Sequence, residues 1–198
     1  MEIFSKDKTI SVPSIILMVL LGISSILNVF LGVSISALRE SNALLRQSRR
    51  LVVGSKVSGM DIQDLSGVPV TIDYEVSQGQ TILYFYSGNC HWCNVNWPAM
   101  RTFGEKLSSG YKIYAICIDL ELEKCRETAP VDELSGISVL RTVSPEPLIQ
   151  FDISATPTMI VVSKDQKVDK IWKGVFAGER KSEVQEYFKI ELPNLQID

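Results

Sequence analysis

Two cysteines separated by two residues, Cys90 and Cys93, are the residues of this sequence best suited to chemistry. A run of β-forming residues, 81–86, precedes them, and a Ser-Gly-Asn turn follows that run. A helix that begins at Cys90 would place its sulfur among unpaired backbone N–H groups, which stabilise a thiolate. The pattern predicts that Cys90 is a redox nucleophile and that Cys93, one helical turn further along, resolves a mixed disulfide.

Metal binding and inert packing are the alternative uses of this cysteine pair. Zinc requires a second Cys or His pair, but the single histidine, His91, lies inside the motif, and Cys117 and Cys125 are eight residues apart. Thiolates suit copper(I), but no methionine or second histidine lies beside the motif. Two unreactive core cysteines are the third alternative. We therefore expect no metal site and no cofactor other than the Cys90–Cys93 disulfide.

The segments around the motif predict an α/β domain. Strands are predicted at 68–74, 81–86, 111–119 and 158–163, with a short extended stretch at 137–143 and a hairpin partner at 168–174. Helices are predicted from Cys90 to about residue 107, with Pro98 inside, and at 120–126, 145–151 and 179–188. Strands that alternate with helices, followed by a hairpin and a helix, are typical of a central mixed sheet flanked by helices.

The N-terminal region predicts a membrane anchor. Residues 9–38 contain no charged side chain, and a spanning helix needs roughly 20 apolar residues. A cleaved signal peptide is the alternative, although its apolar region should be roughly 7–15 residues long. The predicted organisation is a polar tail at 1–8, a transmembrane helix at 9–33, a helical stalk at 34–52, the α/β domain at 53–191 and a C-terminal tail at 192–198.

The distribution of charged residues bears on the choice of partner and on the orientation of the domain relative to the membrane. Residues 51–198 hold 14 Lys and Arg against 20 Asp and Glu, and an acidic domain without a basic stripe argues against nucleic-acid binding. By the positive-inside rule, the flank of a transmembrane segment that has more Lys and Arg stays in the cytoplasm. Two lysines precede that segment, and four arginines follow it: Arg39, Arg46, Arg49 and Arg50. Charge counting would thus keep the domain in the cytoplasm.

Residues 53–191 resemble thioredoxin-fold proteins, and more closely the membrane-anchored TlpA/ResA-like thiol-disulfide oxidoreductases. One part of the resemblance is the DLSG–VPVTI hairpin ahead of a strand that ends in C-x-x-C. Pro98, five residues after the second cysteine, is another part. The segment 152–158, which contains Thr156 and Pro157, resembles the segment with the family's cis-proline.

This resemblance implies a thioredoxin-like fold and exchange of the Cys90–Cys93 pair with protein thiols and disulfides. It also implies a single-pass protein of the cytoplasmic membrane, with its domain on the extracytoplasmic side and with a membrane partner that recycles the pair. That orientation conflicts with the arginine count. A non-catalytic binding module, which presents Trp92 and the Thr156 loop to a partner, is the alternative function.

The proline motif has a physical basis of its own. A cis Thr156–Pro157 bond would place its loop beside the cysteines and expose the Thr156 backbone, with which an extended substrate could pair. An ordinary trans-proline that opens a strand is the alternative.

Several positions depart from the family pattern, including Ala155, where the family has glycine, and the His91-Trp92 pair between the cysteines. Asn96 stands where the family often carries a glutamate, and Tyr84 stands where thioredoxins carry a buried acid. Both changes remove a proton acceptor for the resolving thiol.

The remaining site predictions concern single side chains. A protonated His91 could stabilise the Cys90 thiolate, or it could be an exposed loop histidine of weak effect. Trp92 is predicted to be an exposed contact for a partner, and Trp97 a core residue. Cys117 is predicted to be a core thiol, and Cys125 to lie in the next helix or loop. A disulfide between those two would require that loop to fold back.

Overall fold

The computed structural model describes residues 18, 20–25, 27–32, 35, 50–75 and 79–195. The chain divides into two units, Met1–Arg50 and Leu51–Asp198. In the first unit, the described residues between 18 and 35 are helical and exposed. No helix among the described residues is both long enough and apolar enough to cross a membrane. Much of the predicted anchor at 9–33 and stalk at 34–52, and all of the tail at 1–8, lie outside the described residues.

Strands and helices alternate in the second unit. The strands are β1 Met60–Asp64, β2 Pro69–Ile72, β3 Gln80–Tyr86, β4 Tyr111–Cys117, β5 Ile137–Arg141, β6 Thr158–Val162 and β7 Val168–Lys173. The helices are α1 His91–Leu107, α2 Leu122–Thr128, α3 Glu146–Gln150 and α4 Gly178–Phe188, and a 3-10 turn covers Val131–Glu133. Within the described residues, the strands form one sheet in the order β2-β1-β5-β4-β3-β6-β7.

Strand β3 leads to the cysteine motif from the interior of this sheet. It pairs in parallel with β4 and antiparallel with β6, and residues 81–86 are all buried. Side chains along a strand alternate between the two faces of a sheet. Tyr84 and Tyr86 therefore pack with α1 and α4 on one face, whereas Leu83 and Phe85 pack with the β1–β2 hairpin and Phe151 on the other.

Helix α1 lies against the sheet through one buried stripe. Its buried positions include Cys93, Trp97, Met100, Phe103 and Leu107, which follow the spacing of a single helix face. A Cβ atom at Gly104, on the same helix, would collide with the Ser135 carbonyl oxygen. A glycine there allows the chain before β5 to approach α1.

The predicted mixed α/β architecture is confirmed, with small differences at element ends. Strand β4 ends at Cys117 rather than at 119, and α2 begins at Leu122 rather than at 120. The Ile118 N–H donates to the Tyr86 carbonyl at 2.9 Å, and beyond it the Asp119 side chain binds the turn after β3. The pairing of β3 and β4 therefore stops at this point.

Candidate active site

Cys90 is the N-cap residue of α1. Its backbone is extended, with φ −91° and ψ 100°, and its sulfur accepts a hydrogen bond from the Cys93 N–H at 3.1 Å. The Cys90 carbonyl accepts from the Cys93 and Asn94 N–H groups at 3.0 and 3.3 Å, as expected at the start of a helix. The predicted helix start is confirmed. The helix N-terminus and this N–H group both favour negative charge on the Cys90 sulfur.

The two cysteines of the motif differ in access to solvent. They form a disulfide with a Cα–Cα distance of 5.2 Å. Cys93 is fully buried, whereas Cys90 is half-buried. A large partner can therefore reach only the Cys90 sulfur.

The turn between β3 and Cys90 is fixed by a carboxylate that the sequence analysis did not identify. Asp119 accepts hydrogen bonds from the Gly88 N–H at 2.6 Å and from the Ser87 hydroxyl at 3.1 Å. The Cys90 N–H in turn donates to the Ser87 carbonyl at 3.2 Å. One feature of the sequence could have indicated this role: Asp119 lies just after the predicted strand that pairs in parallel with β3. The carboxyl ends of parallel strands meet at one edge of a sheet, so Asp119 is brought near the turn that follows β3.

The Thr156–Pro157 peptide bond is cis, as predicted. Thr158 begins β6 opposite Phe85, near the end of β3. The register therefore brings the proline loop to the sheet edge from which the cysteine turn leaves. Thr156 is half-buried and Ala155 is exposed, and the Thr156 peptide groups form no hydrogen bond within the described residues. They are available to an external strand.

His91 and Trp92 inside the motif and Trp97 beyond it have different environments. His91 and Trp92 are both exposed, and their rings meet edge to face at 5.1 Å. Trp92 exposes 43% of its surface, whereas Trp97 is buried and packs against Tyr84 and Tyr86. The structure thus places the two tryptophans as the sequence predicts.

Tyr84 and Asn96 lie near each other in the core. Asn96 is fully buried, and its Oδ1 accepts from the Phe176 N–H at 2.9 Å. Neither the Tyr84 hydroxyl nor Asn96 Nδ2 has a hydrogen bond of ordinary geometry within the described residues. Burial raises the pKa of Tyr84, and the nearby Asn96 amide opposes this only in part. At neutral pH the pair is therefore uncharged and accepts no proton.

The expectation that Cys117 is a free core thiol is wrong. Cys117 and Cys125 form a disulfide with a Cα–Cα distance of 5.7 Å, and both are fully buried. The chain after β4 folds back at residues 118–121, and α2 then brings Cys125 next to the end of β4. This return is a tertiary feature, which the spacing of eight residues could not establish.

A surface groove adjoins the motif. It lies between α1 and α2, has a volume of about 550 Å³, and is lined in part by Gly88, Asn94 and Thr128. Among the described residues, no group of three or more His, Cys, Asp or Glu side chains is arranged to hold a metal ion.

Known proteins similar to this chain include a thioredoxin-like protein and thiol:disulfide interchange proteins. No protein-family model matches the sequence. A thioredoxin-like protein from Haemophilus influenzae is 27% identical over 131 residues, which cover 64% of this chain and 74% of that protein.

Solved structures similar to this chain include two thiol-disulfide exchange proteins. One is a Chlorobium tepidum protein provisionally named thiol:disulfide interchange protein DsbE, with a TM-score of 0.60 and 15% identity, which covers 71% of this chain and 98% of that one. The other is the thioredoxin domain of a thiol-disulfide oxidoreductase from Bacteroides vulgatus, with a TM-score of 0.56 and 20% identity, which covers 70% of this chain and 99% of that one. The thioredoxin-like fold expected from the sequence is thereby confirmed, and the chain shares this fold with the thiol:disulfide interchange proteins.

Proposed function

We propose that this protein is a thiol-disulfide oxidoreductase that exchanges its Cys90–Cys93 pair with thiols and disulfides of other proteins. The observation that carries the proposal is the asymmetry of the pair. Cys90 is accessible at a helix N-terminus and accepts an N–H hydrogen bond, whereas Cys93 is fully buried one turn below. An accessible nucleophile with a shielded resolving thiol is the arrangement that disulfide exchange requires.

The exchange proceeds in two displacements. The Cys90 thiolate attacks one sulfur of a partner disulfide, so that a Cys90–partner disulfide forms and the other partner sulfur leaves as a thiolate. The Cys93 sulfur then attacks Cys90, and the second partner thiolate leaves. Two electrons pass from the Cys90–Cys93 dithiol to the partner disulfide, and the reverse sequence oxidises a partner dithiol.

The second displacement has no buried carboxylate to assist it. The buried polar side chains of the described residues are Thr81, Asn96, Thr142 and Thr158, and none of them is an acid. Burial disfavours the charged form of a thiol, which makes the Cys93 thiolate costly. The partner thiolate released in the first displacement can take the Cys93 proton before Cys93 attacks.

The substrate is proposed to be an extended polypeptide. The free peptide groups of Thr156 can pair with such a chain as with an added strand. Trp92, exposed beside the nucleophile, offers an apolar contact to the same chain. Backbone pairing is independent of the partner's sequence, so this geometry suits several partner proteins.

Equilibration of the full chain against glutathione buffers tests this function. We expect the Cys90–Cys93 pair to pass reversibly between dithiol and disulfide as the buffer is varied. Alkylation and mass analysis of tryptic peptides would follow each pair by itself, because Arg101 and Lys112 separate the two pairs in the sequence. A pair that stayed in one state under all conditions would overturn the proposal and favour a non-catalytic binding module.

The proposal also includes a location in the membrane. It is supported by the uncharged stretch at 9–38 and by the resemblance to membrane-anchored oxidoreductases. We propose that residues 9–33 anchor the protein in the cytoplasmic membrane, with residues 51–198 on its outer side, where a membrane partner recycles the cysteine pair.

Fractionation and protease accessibility test this location. We expect the full chain to stay with the membrane after alkaline extraction, while a variant that lacks residues 1–50 is released. Protease added to intact protoplasts should digest residues 51–198 while a cytosolic marker protein survives. Digestion only after lysis would place the domain inside, as the four arginines after the apolar segment indicate.

A further inference from the structure

The turn that precedes Cys90 is held from two sides. On one side, the Asp119 carboxylate binds the Gly88 N–H at 2.6 Å. On the other side, the Thr128 hydroxyl of α2 lies 3.0 Å from the Gly88 carbonyl and 2.9 Å from the Lys124 carbonyl, and can donate its proton to either. A Cβ atom on Gly88 would lie 2.9 Å from the Lys124 carbonyl oxygen, so α2 packs directly on the turn.

Both attachments depend on one covalently closed segment. Asp119 lies inside the loop that the Cys117–Cys125 disulfide closes, and Thr128 is the last residue of the helix that contains Cys125. At seven residues, α2 is shorter than the roughly 12–15 residues that an isolated helix needs, so it depends on tertiary attachment. Its fully buried residue is Cys125.

Weaker attachments supplement the disulfide. The Arg126 guanidinium donates to the Leu65 carbonyl at 2.7 Å, and the Tyr86 hydroxyl donates to the Cys125 carbonyl at 3.4 Å. Neither of them crosses to the turn at Gly88. The disulfide therefore fixes the base on which Asp119 and Thr128 hold that turn.

We propose that the Cys117–Cys125 disulfide, Asp119 and Thr128 form a turn clamp, which positions Cys90 and thereby sets the equilibrium between the dithiol and disulfide forms of the Cys90–Cys93 pair. This inference rests on the proposed function. Ring closure is favourable when the two sulfurs are held within reach of each other, because a loose chain lowers their effective concentration. Release of the turn clamp would therefore favour the dithiol over the intramolecular disulfide.

Three variants of the full chain test the turn clamp in glutathione buffers. Cys117→Ala combined with Cys125→Ala removes the disulfide, Asp119→Asn weakens the acceptor for Gly88, and Thr128→Val removes the hydroxyl without changing charge. We expect each variant to shift the Cys90–Cys93 equilibrium towards the dithiol, by about three- to tenfold for the double variant. In Asp119→Asn, loss of the carboxylate charge would also stabilise a nearby thiolate and thereby favour the dithiol. Thr128→Val changes no charge, so its effect reports only the release of the turn.

Val168→Ala is the matched control for general destabilisation. Val168 is buried in β7 and pairs with Val162, which is itself paired with Thr81 at the far end of β3 from the motif. This variant should lower the free energy of unfolding and leave the equilibrium of the cysteine pair unchanged.

The outcomes separate this inference from the proposed function. A wild-type pair that exchanges with glutathione, together with clamp variants that match it, would overturn the inference and leave the function standing. Should the double variant not fold, Asp119→Asn and Thr128→Val decide the question by the same measurement. A wild-type pair that does not exchange would overturn both.

Discussion

Replacing Cys90 by serine is expected to abolish disulfide exchange, with the rate falling on the order of a thousandfold or more. The reacting species is the thiolate, and a serine hydroxyl at the same helix N-terminus does not ionise near neutral pH. The substitution is close to isosteric at a half-buried position, so the fold should be retained. The measurement is the rate at which the full chain reduces a disulfide-bonded peptide in the presence of excess dithiothreitol.

Cys93→Ser is the matched variant, because it keeps the nucleophile and removes only the resolving thiol. It should slow turnover strongly. When the reduced variant is mixed with the peptide in the absence of dithiothreitol, it should accumulate a mixed disulfide between Cys90 and the peptide, visible as a mass increase, because no second thiol is present to resolve it. The double variant that lacks Cys117 and Cys125 should still turn over, which would exclude the second pair as the source of activity. If Cys90→Ser formed the peptide adduct and Cys93→Ser did not, the assigned roles would be reversed.

Trp97→Ala is expected to cost about 3–5 kcal/mol of the free energy of unfolding. Trp97 is 5% exposed, and its ring packs edge to face against Tyr84 and Tyr86 with centroid distances of 5.6 and 5.0 Å. Its indole N–H is buried and has no hydrogen-bond partner among the described residues, so its removal also relieves a desolvation cost. We therefore expect a value near the lower end of this range.

Urea unfolding of the full chain, followed by circular dichroism, measures this loss. Trp92→Ala is the control, because Trp92 is exposed on the same helix. It should change the free energy of unfolding by less than about 0.5 kcal/mol, as is usual for surface substitutions. A loss at Trp97 no greater than that at Trp92 would show that this aromatic cluster does not stabilise the domain.

The cysteine motif and its supporting elements follow from local patterns in the sequence. The buried run at 81–86 and the turn before Cys90 predict the strand and the helix start that are observed. The Thr156–Pro157 segment predicts the cis bond through its resemblance to a known motif. Such features are readable because a strand, a turn or a helix cap is determined by residues close together in the chain.

The N-terminal anchor remains a prediction from composition. Residues 9–38 carry no charge, which is an unusual property for any segment outside a membrane. The described residues include no helix long and apolar enough to span a bilayer.

The environment of the motif depends on contacts between residues far apart in the chain. Asn96 accepts from Phe176, 80 residues away, and Asp119 binds Gly88, 31 residues away. A disulfide requires its two Cα atoms to lie close together, and spacing in the sequence does not give that distance. Here the chain after Cys117 folds back and brings the Cα atom of Cys125 to 5.7 Å from that of Cys117.

The sequence by itself therefore determined the cysteine pair proposed to react, the strand and helix that present it, and the proline segment. Only the tertiary structure decided that Cys93 is shielded while Cys90 is accessible, that Cys117 and Cys125 are bonded, and that Asp119 holds the turn. The physical reason is that burial and hydrogen-bond partners are properties of the packed sheet, where strands such as β3 and β4 pair although about 30 residues separate them.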